Sequence, residues 1–441
     1  MGKKAGDALN DAAHHVHLRE VTLTSTPPGR GPDLIAQAVL QQFDKLPAKR
    51  KPTVRDNGLH EWVPLSGIVA ERDGILTCLA LATGMKCLPA SKVAESNGVG
   101  IHDWHAEILA IRTFNRFLLD ECKSLLDKDD GSSILRRTQR TTAKEGDMSL
   151  KPFEIRGDVK LHMYCSEAPC GDASMELTMA AQEDASPWPT LAATELNSAG
   201  EKCLPGRAYF SQLGVVRRKP ARGDAPPTLS KSCSDKLSLK QCTSLLSSLT
   251  SLFIDPSNAY IHTIILPKSQ YSASGCRRAF SAKGRMSPLA GRQWQGEYAF
   301  REFEAITTEL EFEFSKRAVS ARAMKISASN LAAAWSGSGV EETIIGGVIQ
   351  GRKPFNTKGA SHMSRRRMWE TARELSSSLE NAGYAPIHLG CGTYHDLKEG
   401  PLLAHRRQAK QEARQTALTG WTRNDGGSGF QLEERSHDCH H

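Results

Sequence analysis

Apolar residues recur at helical spacing over residues 34–44, "LIAQAVLQQFD", and predict a first helix. Two runs, "VPLSGIVAE" and "GILTCLALATG", then predict a pair of neighbouring strands. A helix over 105–123 follows, with Ile108, Leu109, Ile111, Phe114, Phe117 and Leu118 as its buried stripe. "VKLHMYCSEAPC" reads as a strand entering a turn, "GDASMELTMAAQ" as a helix, and "SDKLSLKQCTSLLSSLTSLF" as a second helical run. "AYIHTIILP" (259–267) is a strand, and the remaining pattern adds strands near 308–315 and 343–350 and helices near 361–382 and 402–418. Polar stretches at 124–152 and 183–203 read as exposed insertions. There is no internal repeat. Strands alternating with helices argue for an α/β chain, a sheet covered by helices.

The 105–123 helix opens on "HDWHAEILAI", two histidines and two carboxylates within six residues. A helix start accounts for part of this, since Asp103 can cap and Glu107 sits near the positive first turn. Downstream, "CSEAPCGDASME" places Cys170 after Pro169 at a strand-to-helix turn, and "KSCSDK" places Cys233 where a helical run opens. Peptide dipoles at such positions favour the thiolate, the metal-binding form of cysteine. One His and two Cys offer three ligands to a tetrahedral zinc and leave the fourth position to water, the arrangement of a catalytic site. Glu107, two residues from His105, is placed to move a proton at that water. H-x-E followed by P-C-x-x-C is the pattern of zinc nucleobase deaminases. Here Ala173 stands where the second cysteine belongs, so the third ligand comes from elsewhere. Cys233 is the candidate. Cys165 competes, but it alternates with residues of a buried strand and reads as core. The terminal "HDCHH" is either a metal-binding tract or a frayed tail.

With 441 residues, 39% hydrophobic and 24% charged, the chain has room for one large domain or two ordinary ones. No stretch approaches the ~18 consecutive apolar residues of a membrane span. The start, "MGKKAGDALN", lacks a signal-peptide core, and Gly6 stands where a myristoylation site wants Ser or Thr. Eleven cysteines without a dense framework read as reduced thiols or metal ligands. The expectation is an intracellular protein, nuclear, cytoplasmic or both, neither secreted nor membrane-bound. The net charge of +8 gathers in "KLPAKRKP", "VVRRKPARGD", "SRRRMW" and "HRRQAKQEARQ". Each alone reads as solvated surface, and together they suit a polyanionic partner.

"DWHAE", "APCGDAS" and "SCSDK", in this order, resemble the adenosine deaminase domain shared by double-stranded-RNA editing deaminases and eukaryotic tRNA-specific deaminases. "LPAKRKP", "RKPARGDAPPTLS" and "LKQCTSLLSSLTS" are similar to fungal members of the tRNA group. The resemblance implies a cytidine-deaminase-like mixed sheet flanked by helices, with a C-terminal α/β half packed around a buried polyanion. It extends over residues 21–430, between flexible segments at 1–20 and 431–441. It implies zinc on His105, Cys170 and Cys233, with Glu107 as the proton shuttle. It also implies a buried inositol hexakisphosphate at Lys86, Asp103, Arg112, Ser230, Lys236, Arg365, Tyr394, Lys398, Lys410 and Trp421. Asp103 and Lys86 match a polar relay joining the two cofactors. Ile111, Leu239 and Lys240 depart from the arginines and tryptophan of the editing enzymes. The loop 205–231 is where a base-flipping residue is expected, and "RRKPARGD" within it is a candidate phosphate contact. The implied activity is hydrolytic conversion of adenosine to inosine beside the anticodon of alanine tRNA, with DNA not expected as a partner. The alternatives are editing of messenger or duplex RNA, a free-nucleoside deaminase, and a non-catalytic RNA- or inositol-phosphate-binding scaffold.

Overall fold

The computed structural model describes residues 21–22, 31–127, 131–138, 151–181, 204–205, 212–219, 226–389, 392–424 and 426–432. The expected insertion at 183–203, the terminal segment 1–20, the "HDCHH" tract and most of 139–152 lie outside them.

The two neighbouring strands foreseen, β1 (Leu65–Arg72) and β2 (Ile75–Thr83), pair antiparallel across an Asp73–Gly74 turn. β3 (Lys160–Cys165) pairs antiparallel with β1, and β4 (Ile261–Pro267) and β5 (Glu304–Thr308) extend that side in parallel. On the other side β6 (Ala332–Ser336), β7 (Glu341–Ile345) and β8 (Val348–Ile349) add antiparallel to β2. The order is β5-β4-β3-β1-β2-β6-β7-β8, a mixed sheet.

Neighbouring residues on its inner strands point to opposite faces, so one strand feeds two cores. Met163 and Ile264 face helix α2 (Ala106–Asp127) with Phe114 and Leu118, whereas Tyr164 and Ile265 face helix α1 (Gly31–Asp44) with Val39 and Phe43. Both faces are thus covered by helices, which is why the central strands read as continuous apolar runs. Cys165 is fully buried on the α2 side, as core. Ile111, which departs from the arginine of the editing enzymes, is also core.

Several elements differ from expectation. "GDASMELTMAAQ" forms only a 3₁₀ turn at Asp172–Ser174 and the short α3 (Met175–Ala180). Helix α4 (Cys233–Thr243) stops ten residues early, at Ser244 with φ +56°. Its leucines continue into the core as an irregular segment, with Leu245, Leu246, Leu249 and Leu252 all buried. Asn115 of α2 holds that segment by bonding Leu245 O at 3.0 Å. Residues 309–315 are not strand, since β5 ends at Thr308. Helices α5 (Ala273–Phe280) and α6 (Lys316–Arg322), and strand β6, had no clear signal. Three C-terminal helices complete the described chain: α7 (Arg365–Asn381), packed on α2, then α8 (Tyr394–Glu399) and α9 (Ala404–Thr416), the last packed on α4.

Candidate functional site

Three helix starts converge beyond the sheet. His105 immediately precedes α2, and its backbone N–H donates to Asp103 Oδ1 at 3.0 Å. Cys233 is the first residue of α4, whose cap Ser232 accepts the Asp235 N–H at 3.1 Å. Cys170 lies in the turn after β3, and its Sγ accepts the Cys233 N–H at 3.3 Å. The two thiol-bearing turns interlock. Gly171, at φ +104°, presses so near Ser232 that a Cβ there would lie 2.2 Å from its Oγ. Ser234 Oγ sits 2.9 Å from Pro169 O and 3.0 Å from Cys170 O, and accepts the Ala173 N–H at 3.1 Å. Ser234→Ala removes that clamp without touching a ligand. Zinc affinity, measured by chelator competition, is expected to fall about tenfold or more, in line with losses of outer-shell partners. Unaltered affinity would show the clamp to be irrelevant to the metal.

The ligand atoms of His105, Cys170 and Cys233 all lie within 4.8 Å of one another, with Cys170 Sγ 3.9 Å from His105 Nδ1. Zinc bonds of ~2.1–2.3 Å set ligand atoms about 3.5 Å apart, so the donor set and spacing fit that ion. Its bond to Cys233 and charges on Lys219 and His105 outweigh burial and hold the Cys170 thiol well below its usual range. Glu107, 6% exposed in the first turn of α2, has its carboxyl pushed up by burial and by the Cys170 charge. A carboxyl raised in this way holds a proton more readily than an exposed one, as a proton-transferring group requires. Cys87, which the sequence did not single out, completes a second group with Asp103 and His105 within the same 4.8 Å.

The relay behind the ligands differs from expectation at one residue. Lys86 is exposed and bonds Asn330, away from the ligands. The bridge pairing Cys87 with Asp103 turns Cys87 inward, and strand alternation sends Lys86 out. Its place is taken by Lys219, 6% exposed, whose ammonium donates to Asp103 at 2.9 Å and to Cys233 Sγ at 3.2 Å. Ser230 donates to the same Asp103 oxygen at 2.7 Å, and Lys236 contacts it too. Burial favours the neutral acid, but Lys219 and Lys236 win, and Asp103 stays ionised well below the usual carboxylate range. "RRKPARGD" is therefore not a surface patch over its described part: Arg217 and Lys219 are both buried, and residues 220–224 lie outside the described chain.

Behind Asp103 lies a concentration of half-buried cations. Arg112 and Arg365 share a neighbourhood with Tyr394, and Lys398 lies within reach of Arg365 and Arg414. Lys410 is surrounded by Arg414, Lys398, Arg406 and Lys240. Burial and mutual repulsion bring Arg365 down to about 10 and Lys398 to about 8, and hold Lys240 and Lys410 well below the usual lysine range. Among the described residues no carboxylate bonds Arg112, Lys240, Arg365, Lys398, Arg406, Lys410 or Arg414. Arg414 Nε is buried with no hydrogen-bond partner, its guanidinium 4.9 Å from the Trp421 ring. Such a group demands an anion.

Of the residues expected around a polyanion, the structure gathers Asp103, Arg112, Ser230, Lys236, Arg365, Tyr394, Lys398, Lys410 and Trp421, and leaves out Lys86. It adds Lys240, Arg406 and Arg414. Lys240 also bonds the carbonyls of Leu245 and Leu246 where α4 breaks, and Arg406 bonds Leu246 O at 2.7 Å. Leu239 instead joins an apolar cluster with Ala409 and Ala413. The missed signal was spacing. Arg406, Lys410 and Arg414 stand at i, i+4 and i+8 of α9 beside the buried Ala409 and Ala413, one face turned inward.

Comparison with known proteins matches the adenosine-deaminase (editase) domain to residues 80–425. The tRNA-specific adenosine deaminase 1 of Schizosaccharomyces pombe is 36% identical over 406 residues, 90% of this chain and 96% of that protein. Its Saccharomyces cerevisiae counterpart is 34% identical over 246 residues, 53% of this chain and 58% of that protein. The double-stranded RNA-specific editase B2 of Mus musculus is 26% identical over 279 residues, 59% of this chain and 33% of that protein.

Proposed function

Because the chain belongs to the adenosine-deaminase (editase) domain family, we propose that it hydrolyses the 6-amino group of an adenosine in tRNA, leaving inosine and ammonia. The observation that carries this reading is the meeting of His105, Cys170 and Cys233 within 4.8 Å, beside the buried carboxyl of Glu107. His105, Cys170 and Cys233 would hold a zinc ion, which would supply a water acidic enough to act as a nucleophile near neutral pH. Glu107 takes the proton as oxygen adds to C6 of adenine, and gives it to the departing amine. Asp103 accepts the His105 backbone N–H and so fixes the helix start that carries the imidazole, and Lys219 stabilises negative charge on Cys233.

The substrate is the adenosine beside the anticodon of alanine tRNA. An anticodon loop is already partly unstacked, so extruding its base costs less than opening a duplex. The buried cations hold inositol hexakisphosphate, whose phosphates supply the negative charge that the described residues lack. No helix among the described residues is long and apolar enough to cross a membrane. The test is incubation of purified protein with tRNA, messenger RNA and free adenosine, followed by nuclease digestion and nucleoside mass spectrometry. Inosine is expected in alanine tRNA. Inosine confined to messenger RNA or to the free nucleoside would overturn the reading.

A further inference from the structure

Helix α5 packs on the Asp172–Ser174 turn, directly beyond the ligand Cys170. Arg278 fastens the two, its Nε 3.1 Å from Asp172 Oδ1, its Nη2 donating to Asp172 O at 2.7 Å and to Glu176 at 3.1 Å. The same stretch carries three more cations. Arg285 is buried and neutralised by Asp235 at 2.7 Å. Arg277 and Lys283 are exposed, and no carboxylate among the described residues pairs with either. The nearby Glu302 is engaged with the Ala282 N–H at 2.9 Å.

A cation in the last turn of a helix is explained by the helix dipole alone, which covers Arg277. It does not cover Lys283, which lies beyond the helix. Residues 281–285 fold back over its end so closely that a Cβ on Gly284 would lie 2.3 Å from Arg277 O and 2.4 Å from Arg278 O. The result is a cleft of about 460 Å³ lined by Ala273, Ser274, Arg277, Arg278, Lys283 and Gly284. Arg277 and Lys283 bring positive charge to its lining, paired with no carboxylate among the described residues.

We propose that this cleft receives backbone phosphate of the RNA substrate while the target adenosine occupies the site, an inference that rests on the tRNA reading above. Arg278 lines the cleft and bonds Asp172 in the turn that follows Cys170, so a strand entering the catalytic site passes close to the cleft. An acidic protein is the poorer fit, because a protein interface is anchored by apolar or aromatic residues at its centre. The large exposed hydrophobics among the described residues, Val54, Leu213, Met324 and Ile345, all lie outside the cleft lining.

The test is a salt titration of alanine tRNA binding to the zinc-loaded full chain and to an Arg277→Gln/Lys283→Gln double variant. A Lys353→Gln/Lys358→Gln variant serves as a control for general loss of charge. The Arg277/Lys283 variant is expected to bind about tenfold more weakly at low salt, with the slope of log K against log salt reduced by about 1.4. Its zinc content and circular dichroism are expected to match the parent, which excludes misfolding. An unchanged slope, or an equal loss in the control variant, would overturn the inference while leaving the deaminase reading intact. A parent protein that makes no inosine in tRNA would overturn both.

Discussion

Glu107→Gln is expected to slow inosine formation about a thousandfold while zinc content stays at the parental level. The substitution preserves the shape of a side chain that is only 6% exposed, so packing in the first turn of α2 survives. What it removes is the capacity to take up and release a proton. An amide can still hydrogen-bond a water or an exocyclic amine, but it cannot carry the proton from one to the other. Zinc should stay because the atoms that meet are those of His105, Cys170 and Cys233. Single-turnover inosine formation with metal analysis on the same sample reads both quantities. Turnover near that of the parent would remove Glu107 from the chemistry. Joint loss of metal and activity would place it among the structural supports of the ion.

The chain unfolded and stripped of small molecules is expected to refold in markedly higher yield when inositol hexakisphosphate is present. Uncompensated burial costs several kcal/mol per ion, whereas whole domains are stable by about 5–15 kcal/mol. Arg112, Lys240, Arg365, Lys398, Arg406, Lys410 and Arg414, partly buried and without an anion, therefore take up a large share of that margin. The pKa shifts add an independent readout. Lys398 lies at about 8 without ligand, and a phosphate beside it draws that value back up. Binding thus takes up protons at pH 8, and affinity falls as pH rises through that region. Calorimetry in buffers of different ionisation enthalpy measures the uptake. Equal refolding yields with and without the polyphosphate, or binding with no proton uptake, would contradict this account. Lys410→Met adds a sign test: it should stabilise the ligand-free chain, by removing a buried charge, and weaken polyphosphate binding.

The site was legible in the sequence to the extent that its parts are local. His105, Cys170 and Cys233 each sit at a helix start, and helix starts announce themselves through prolines, caps and the onset of periodicity. Their convergence is a long-range fact, and only the order of motifs pointed to it. Lys219 was read as a surface cation because the partners that make its burial tolerable, Asp103 and the Cys233 sulfur, are remote or inconspicuous in sequence. Lys86 failed in the opposite sense, since one step of strand alternation decides whether position 86 or 87 faces the ligands. Most members of the cation cluster, Lys410 included, were named from the sequence, but Arg406 and Arg414 on the same face of α9 were taken for solvated surface, as charge at helical spacing usually is. The helical run past Thr243 misled for another reason. Its leucines keep an apolar rhythm because the core needs them, while Lys240 and Arg406 take the carbonyls that a continuing helix would have used. The central strands were the easiest elements to foresee, because a sheet covered on both faces leaves little room for polar residues.

The sheet order has a consequence for genetics. Every side chain assigned to the nucleobase and its ion is encoded before residue 234, yet β4 and β6, which flank β3 and β2, come from residues 261–267 and 332–336. A nonsense codon between residues 234 and 260 would spare all the reacting groups and leave β3 and β2 as bare apolar edges. Such a product is inert and prone to aggregate.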